Sequence, residues 1–346
     1  MGAKNQLSKL TAFDLFSGCG GLTCGLKAAG FRVLGALDVD AGAVECYSAN
    51  HPDVLVWQED IRTVDPAKVL QCIRVEPGNL DLLAGCPPCQ GFSSLRTLNG
   101  SRVVDDPRNA LIREFARFVE GMRPRAVLME NVPGLAAHPE LTELVQVLEK
   151  LGYVVRWRVL DAYDYGVPQR RRRLILLAGL GVAIRFPRKY RKHRVVADVI
   201  HDLPEAGASG DPAHDISERR SQRVMDLIAR IPKDGGSRNA LAGSQVLRCH
   251  RKCDGFKDVY GRMAWNRPAP TITSGFVNPS KGRFLHPEYN RTITLREASL
   301  LQGFPPGYVF PVHRGKFHVA ALIGNAVPPE FAKAQAMAIK RCLLSS

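Results

Sequence analysis

No apolar run approaches the roughly 18 residues that a membrane-crossing helix needs, so no span is expected in this 346-residue chain. The opening stretch MGAKNQLSKLTAFDLF lacks an apolar signal core, so secretion is not expected either. Gly2 stands where acylation would fall, yet Gln6 occupies the position that signal reserves for Ser or Thr. There is no internal repeat and no low-complexity tract. The cysteines are nine, an odd number at irregular spacings, which argues against a disulfide framework and for reduced thiols in a cytoplasm. Acidic residues are in short supply: 33 Asp and Glu face 48 Lys and Arg, a net charge of +15.

That basic excess is the first positive signal. Phosphate polymers are the natural partners of such a surface, because each neutralised phosphate releases counterions. A basic but merely soluble protein is the bland alternative, and charge alone leaves it open.

The first 180 or so residues alternate strand and helix patterns. TAFDLF is an apolar run ending at a glycine cluster, and GLTCGLKAAG reads as a helix closed by Gly30. RVLGALD, VLVW and NLDLLAG read as three further buried strands, the last running into a cysteine-proline motif. Apolar residues at Leu111, Ile112, Phe115, Phe118, Val119 and Met122 form the stripe of an amphipathic helix. PRAVLMEN is a fifth strand, ELTELVQVLEKLG a helix, and RRLILLAGL another strand. The pattern implies an α/β fold, a doubly wound and mostly parallel sheet that binds ligands at the carboxyl ends of its strands. Residues 188–290 are basic, turn-rich and irregular and are expected to form a second, smaller domain. Residues 291–346 become regular again and are expected to return to the 1–187 domain as a C-terminal segment.

Chemistry concentrates at the strand ends. In DLFSGCGGL, Gly18, Gly20 and Gly21 allow a tight turn and close backbone approach to a ligand. Thr23 stands where a dinucleotide fingerprint needs its third glycine, which argues against NAD or FAD. A nucleoside without a pyrophosphate fits better, with Asp38 placed for ribose hydroxyls and Asp60 for an amino group on a base. A structural turn flanked by two surface aspartates remains the alternative.

AGCPPCQGFS sets Cys86 and Cys89 either side of two prolines. Cys89 leaves the carboxyl edge of the sheet on a loop that Pro87 and Pro88 hold extended, which suits a fixed nucleophile. A zinc site would need Cys249, His250 and Cys253, whose spacing matches no common finger. A dithiol would normally open a helix, whereas Gln90 and Gly91 follow here. Glu130, at the end of the fifth strand, reaches the same edge and is suited to acid chemistry if desolvated. In VPQRRRRL, alternation places Gln169, Arg171 and Arg173 on one face of a strand and Arg170 and Arg172 on the other.

Taken in order, DLFSGCGGL, GCPPCQGFS, ENV, QRRRR, REASLLQGFP and GNAVPP resemble the DNA cytosine-5 methyltransferases of prokaryotic type, across residues 11–187 and 262–340. The resemblance implies the class I methyltransferase fold with a small target-recognition domain. It implies S-adenosyl-L-methionine as cofactor, held by Phe16, Ser17, Gly18, Gly20, Gly21, Leu22, Asp38, Asp60, Ile61 and Leu111, with Asn325 and Ala326 closing the pocket. It makes Cys89 the nucleophile that adds to carbon 6 of a flipped cytosine. Cys86 is then a bystander where the family often has a small residue. Glu130 would hold the base at N3, and Arg171 and Arg173 would contact the base or the loop around it. Gln90, Ser93, Gln169, Thr271 and Ile272 would meet the DNA. Double-stranded DNA is the expected partner, with a restriction endonuclease acting separately, and the expected state is a cytoplasmic monomer without metal. A tRNA methyltransferase on the same fold is the nearest rival, but the Cys-Phe-Thr signature of that branch is absent. A non-catalytic DNA-binding relative is the rival of another class.

Overall fold

The computed structural model describes residues 9–88, 110–216, 218–241 and 258–345, which group into two units. The first holds residues up to 161, then 172–189 and 327–346; the second holds 162–171 and 190–326. Residues 291–326 thus group with the irregular region that precedes them, and the return to the first unit starts at Val327.

The first unit is built on one seven-stranded sheet. Its strands are β1 Thr11–Leu15, β2 Arg32–Asp38, β3 Leu55–Gln58, β4 Leu82–Gly85, β5 Ala126–Asn131, β6 Tyr153–Asp161 and β7 Arg172–Leu180, in the order β3-β2-β1-β4-β5-β7-β6. The first five run parallel, while β7 pairs antiparallel with both β5 and β6. This is the mostly parallel, doubly wound sheet expected from the alternation of patterns. The edge strand β6 has no clear sequence signature, because its side chains are mostly exposed or half-buried and arginines interrupt its apolar residues.

Alternation along β1 divides the labour between the two faces. Phe13 and Leu15 join a core shared with α3 (Pro66–Ile73), α4 (Ala110–Met122) and α5 (Pro139–Lys150). Asp14, pointing the other way, meets α1 (Gly21–Ala28) and α2 (Ala41–Asn50) through Thr23 and Tyr47. The C-terminal helix α10 (Pro329–Ser345) packs along α1, and Lys340 Nζ donates to the Ala29 carbonyl at 3.1 Å. At the amino ends of the strands, Asp81 accepts from the Thr11 backbone and from Arg125, tying β1, β4 and β5 together away from the ligand edge.

The second unit has few regular elements: α6 Ala197–Ile200, α7 Gln222–Arg230, α8 Leu295–Leu301 and α9 Lys316–Asn325, with isolated bridges rather than a sheet among the described residues. Thr294 and Glu297 form a capping box at α8, as an S/T-x-x-E spacing favours. Much of the remaining order comes from arginine. Arg262 is fully buried and donates to the carbonyls of Ile228, Ile231, His286 and Tyr289 and to the Asn290 side chain. Arg283 reaches the carbonyls of Gly235, Gly236 and Arg262.

Two buried histidines make the fold acid-sensitive. Burial pushes both His51 and His286 down to about 4. Their folded values lie below the unfolded one, so the stability they contribute is present above about pH 6.5 and lost as pH falls towards 4, on the order of 3 kcal/mol each. Imidazole resonances of both residues should stay in the neutral form down to about pH 5. Titration near 6.5 would show that neither is held neutral by the fold.

Candidate active site

The chain order reverses at β1, which pairs with β2 on one side and β4 on the other, and such a switch point opens a crevice at the carboxyl ends of the strands. The turn leaving β1 takes left-handed backbone at Phe16 (φ 56°), Gly18 (φ 53°) and Gly20 (φ 91°). For Phe16 that conformation is strained, as residues at ligand sites often are. The turn is pinned to β2: Ser17 N donates to the Leu37 carbonyl at 3.1 Å, and Gly18 N to Asp38 Oδ2 at 2.7 Å. Asp40 N donates to the other Asp38 oxygen at 2.9 Å, and burial raises the Asp38 carboxyl above its usual range. No atom lies within 4 Å of where a Cβ on Gly18 would stand, and Ser17 Oγ is buried without a partner among the described residues. Gly21 and Leu22 open α1 and are buried.

Asp60 caps a short 3₁₀ turn, Ile61–Thr63, at the end of β3. Arg62 grips its carboxylate through backbone and guanidinium, which holds Asp60 down at about 2. Ile61 is buried, and Leu111 packs half-buried against the core.

Beneath the turn lies a cluster that the sequence motifs do not reveal. Asp14 is fully buried; its Oδ2 accepts from Thr23 Oγ1 at 2.7 Å, and Thr23 Oγ1 lies 2.7 Å from the Tyr47 hydroxyl. Burial lifts the Asp14 carboxyl to about 7. Its only sequence signal is an acid inside an otherwise apolar strand.

At the end of β4, Cys86 N donates to the Leu15 carbonyl at 3.2 Å, and Asn131 Nδ2 donates to the Pro87 carbonyl at 3.1 Å. Asn131 Oδ1 in turn accepts from Val132 N at 2.8 Å. Asn131, the middle residue of ENV, therefore ties the Pro-Pro segment to the end of β5, a role its sequence position does not suggest. Burial first, then the charges of Glu130 and Asp14, push the Cys86 thiol well up, so it stays protonated and unreactive. Cys89, Gln90 and Ser93 lie outside the described residues, as do Cys249, His250 and Cys253; among the described residues no cluster of side chains could hold a metal.

Glu130, the penultimate residue of β5, is 8% exposed. Arg173 on β7 forms an ion pair with it, Nε lying 2.9 Å from Glu130 Oε1. The antiparallel register explains the meeting, since Asn131 pairs with Leu174 and Glu130 with Ile175. In the first unit, then, the glycine turn, Asp38, Asp60, Pro87 and the Glu130–Arg173 pair all occupy one edge.

The expected alternation in QRRRR is present: Gln169 and Arg171 are buried, Arg173 is half-buried, and Arg170 and Arg172 are exposed. Arg171, however, directs its guanidinium to protein carbonyls, those of Ile272 (2.9 Å), Gly324 (3.0 Å) and Ala326 (3.1 Å). Gln169 accepts from Ile272 N and donates to the Leu301 carbonyl and Gln302 Oε1; Gln302 donates to the carbonyls of Ile323 and Ala326. Gly324 is required there, because a Cβ would meet Ser274 N at 2.4 Å. Thr271 Oγ1 donates to the Arg170 carbonyl, and the Ile272 side chain is fully buried. Asn325 ends α9, and Asn325 and Ala326 are the last residues of the second unit.

A strand-end crevice at a topological switch point is where open α/β sheets bind their ligands, and this seven-stranded sheet is that of the class I methyltransferase fold. Residues 10–341 match the family described as C-5 cytosine-specific DNA methylase. The chain is 36% identical over 347 residues to a type II methylase of Herpetosiphon aurantiacus, covering 95% of each protein. It is 34% identical over 337 residues to a type II methyltransferase of Haemophilus parahaemolyticus, covering 95% of this chain and 86% of that one. Among solved structures, a putative DNA modification methyltransferase encoded within a prophage, from E. coli, superposes with a TM-score of 0.71 at 26% identity, over 97% of this chain and 100% of the other. The chain belongs to the C-5 cytosine-specific DNA methylase family and is a DNA cytosine-5 methyltransferase.

Proposed function

We propose that the protein is a modification enzyme of the type II restriction–modification kind, using S-adenosyl-L-methionine to methylate cytosine within a specific duplex sequence. The observation that carries this is the pairing of buried Glu130 with half-buried Arg173 on the sheet edge that also bears the glycine turn and the Pro87 anchor.

The first unit's edge fits the cofactor. Open space over Gly18, the orphaned Ser17 hydroxyl and the Asp38 carboxylate suit the polar groups of a nucleoside carrying an amino acid. Phe16, Gly20, Gly21, Leu22, Asp60, Ile61 and Leu111 complete the set, and the family assigns Asn325 and Ala326 to it as well. When bound, S-adenosyl-L-methionine supplies the electrophilic methyl group that ends on carbon 5.

The chain's own residues make carbon 5 reactive. The Cys89 thiolate adds to carbon 6, turning a poor nucleophile into an enamine, while Glu130 supplies a proton or hydrogen bond at N3. Arg173, paired with Glu130 at 2.9 Å, orients the carboxyl group. Loss of the carbon 5 proton and expulsion of Cys89 restore the double bond. The base must first leave the duplex stack. Because Arg171 is committed to carbonyls, we assign it to holding the 271–272 and 324–326 turns and give the contact with the base to Arg173. Gln169 does the same for Ile272, which leaves Thr271, Gln90 and Ser93 for the nucleic acid.

The direct test offers tritiated S-adenosyl-L-methionine with duplex DNA or with tRNA. Label should enter DNA at cytosine; label in tRNA alone would overturn the reading. Non-target duplex should bind with steep salt dependence. Arg188, Lys189, Arg191 and Lys192 are exposed. Replacing them with glutamine should flatten the slope of log Kd against log salt by about 0.9 for each phosphate that the segment neutralises. An unchanged slope would place this segment off the DNA.

A further inference from the structure

The Ile61–Thr63 turn, capped by Asp60, carries two residues of the proposed cofactor set, Asp60 for the amino group of the adenine and Ile61 beside it, yet it has few bonds of its own. Asp60 caps it, and Thr63 Oγ1 returns to the Asp60 carbonyl. Beyond the burial of Ile61 and Val64 in the core, what secures it to the body of the fold is Arg117, on α4. Its NH2 donates to the Ile61 carbonyl at 2.6 Å and its NH1 to the Val64 carbonyl at 3.0 Å. Glu114, one turn earlier on the same helix, accepts from Arg117 Nε at 2.7 Å and so orients the fork. The guanidinium also lies 5.1 Å from the Phe118 ring centre. Three donors on one rigid plane thus join two carbonyls and a carboxylate, a geometry that the point charge of a lysine cannot reproduce.

We propose that Arg117 is a positioning residue for the cofactor's adenine, acting through the turn and touching no part of the cofactor. It rests on the cofactor reading given above. By fixing the Ile61 and Val64 carbonyls, it sets the height and tilt of the turn before the cofactor arrives, so that no ordering cost falls on binding. No sequence motif singles out Arg117, which sits mid-helix on the half-buried flank of the amphipathic stripe.

The test is Arg117→Lys in the full chain, read by calorimetric titration of S-adenosyl-L-methionine and by steady-state kinetics. The dissociation constant should rise about tenfold, the value of one charge-assisted hydrogen bond. The turnover rate at saturating cofactor and DNA should stay within about twofold, because uniform binding alone is removed. Preference for the adenosyl compound over its inosyl analogue, which has a carbonyl oxygen in place of the amino group, should shrink. Glu114→Gln, which keeps the arginine but weakens its anchor, should give a smaller loss in the same direction, and it serves as the test if Arg117→Lys fails to fold. Unaltered affinity in the folded variant, or a fall in turnover without a change in affinity, would overturn the proposal. If the wild-type protein itself bound no S-adenosyl-L-methionine, the cofactor reading would fail instead.

Discussion

Cys89→Ser should form no covalent complex with duplex DNA carrying 5-fluorocytosine at the target position, whereas the wild type should be trapped as a band that survives denaturing electrophoresis. Once the thiolate has added to carbon 6 and the methyl group has reached carbon 5, the remaining substituent there is fluorine. Fluorine cannot leave as a cation, so elimination stops with the enzyme attached. Methyl transfer to ordinary DNA should vanish in Cys89→Ser while binding of S-adenosyl-L-methionine stays nearly intact. The side chains proposed for the cofactor belong to other strand ends, around Asp38 and Asp60. Cys86→Ala should keep most of the activity. Its thiol is pushed up by burial and by the Glu130 and Asp14 carboxylates, so it holds its proton where a nucleophile must have lost it. A wild-type enzyme that methylates DNA yet is never trapped would refute the covalent route, and a folded but dead Cys86→Ala would bring the dithiol reading back.

Glu130→Gln should lower turnover by about a hundredfold to ten-thousandfold, the usual contribution of a positioned acid. The amide matches the carboxyl in shape but cannot release a proton to N3 as the thiolate adds, so trapping by 5-fluorocytosine DNA should slow in parallel. It also replaces a charged acceptor of Arg173 with a neutral one, in a site where Glu130 is nearly closed to water. Arg173→Gln separates the two effects. It removes the orienting ion pair and keeps the acid, so its loss should be smaller than that of Glu130→Gln. Equal trapping rates in wild type and Glu130→Gln would remove Glu130 from the chemistry.

The parallel strands are legible in the sequence because each is a short apolar run ending at a glycine or an acid, as in RVLGALD and NLDLLAG. Their ends then announce the ligand edge: Gly18, Asp38 and Glu130 all lie at the close of such runs or in the turns that follow. What stays hidden depends on partners far away in sequence. Asn131 looks like any strand-end amide until the Pro87 carbonyl, 44 residues earlier, is seen beside it. Gln169 meets Gln302 across 133 residues, and no local pattern encodes that pairing. Alternation does turn Arg171 inward, but what it faces is protein backbone, which a period of two cannot reveal. Asp14 is hidden for a different reason, since one acid in an apolar strand reads as the start of a motif rather than as a buried hub.

The arginine frame of the second unit sets how far the sequence of its segments can vary. Arg262 and Arg283 fasten backbone carbonyls, groups that every residue carries whatever its side chain. A scaffold fastened by main-chain acceptors is indifferent to most substitutions in the segments it fastens. Side chains that face a substrate can therefore drift through successive mutations while the loops keep their course. The course of the second unit's segments is thus set by main-chain acceptors, and exposed side chains along them can vary without unfastening it.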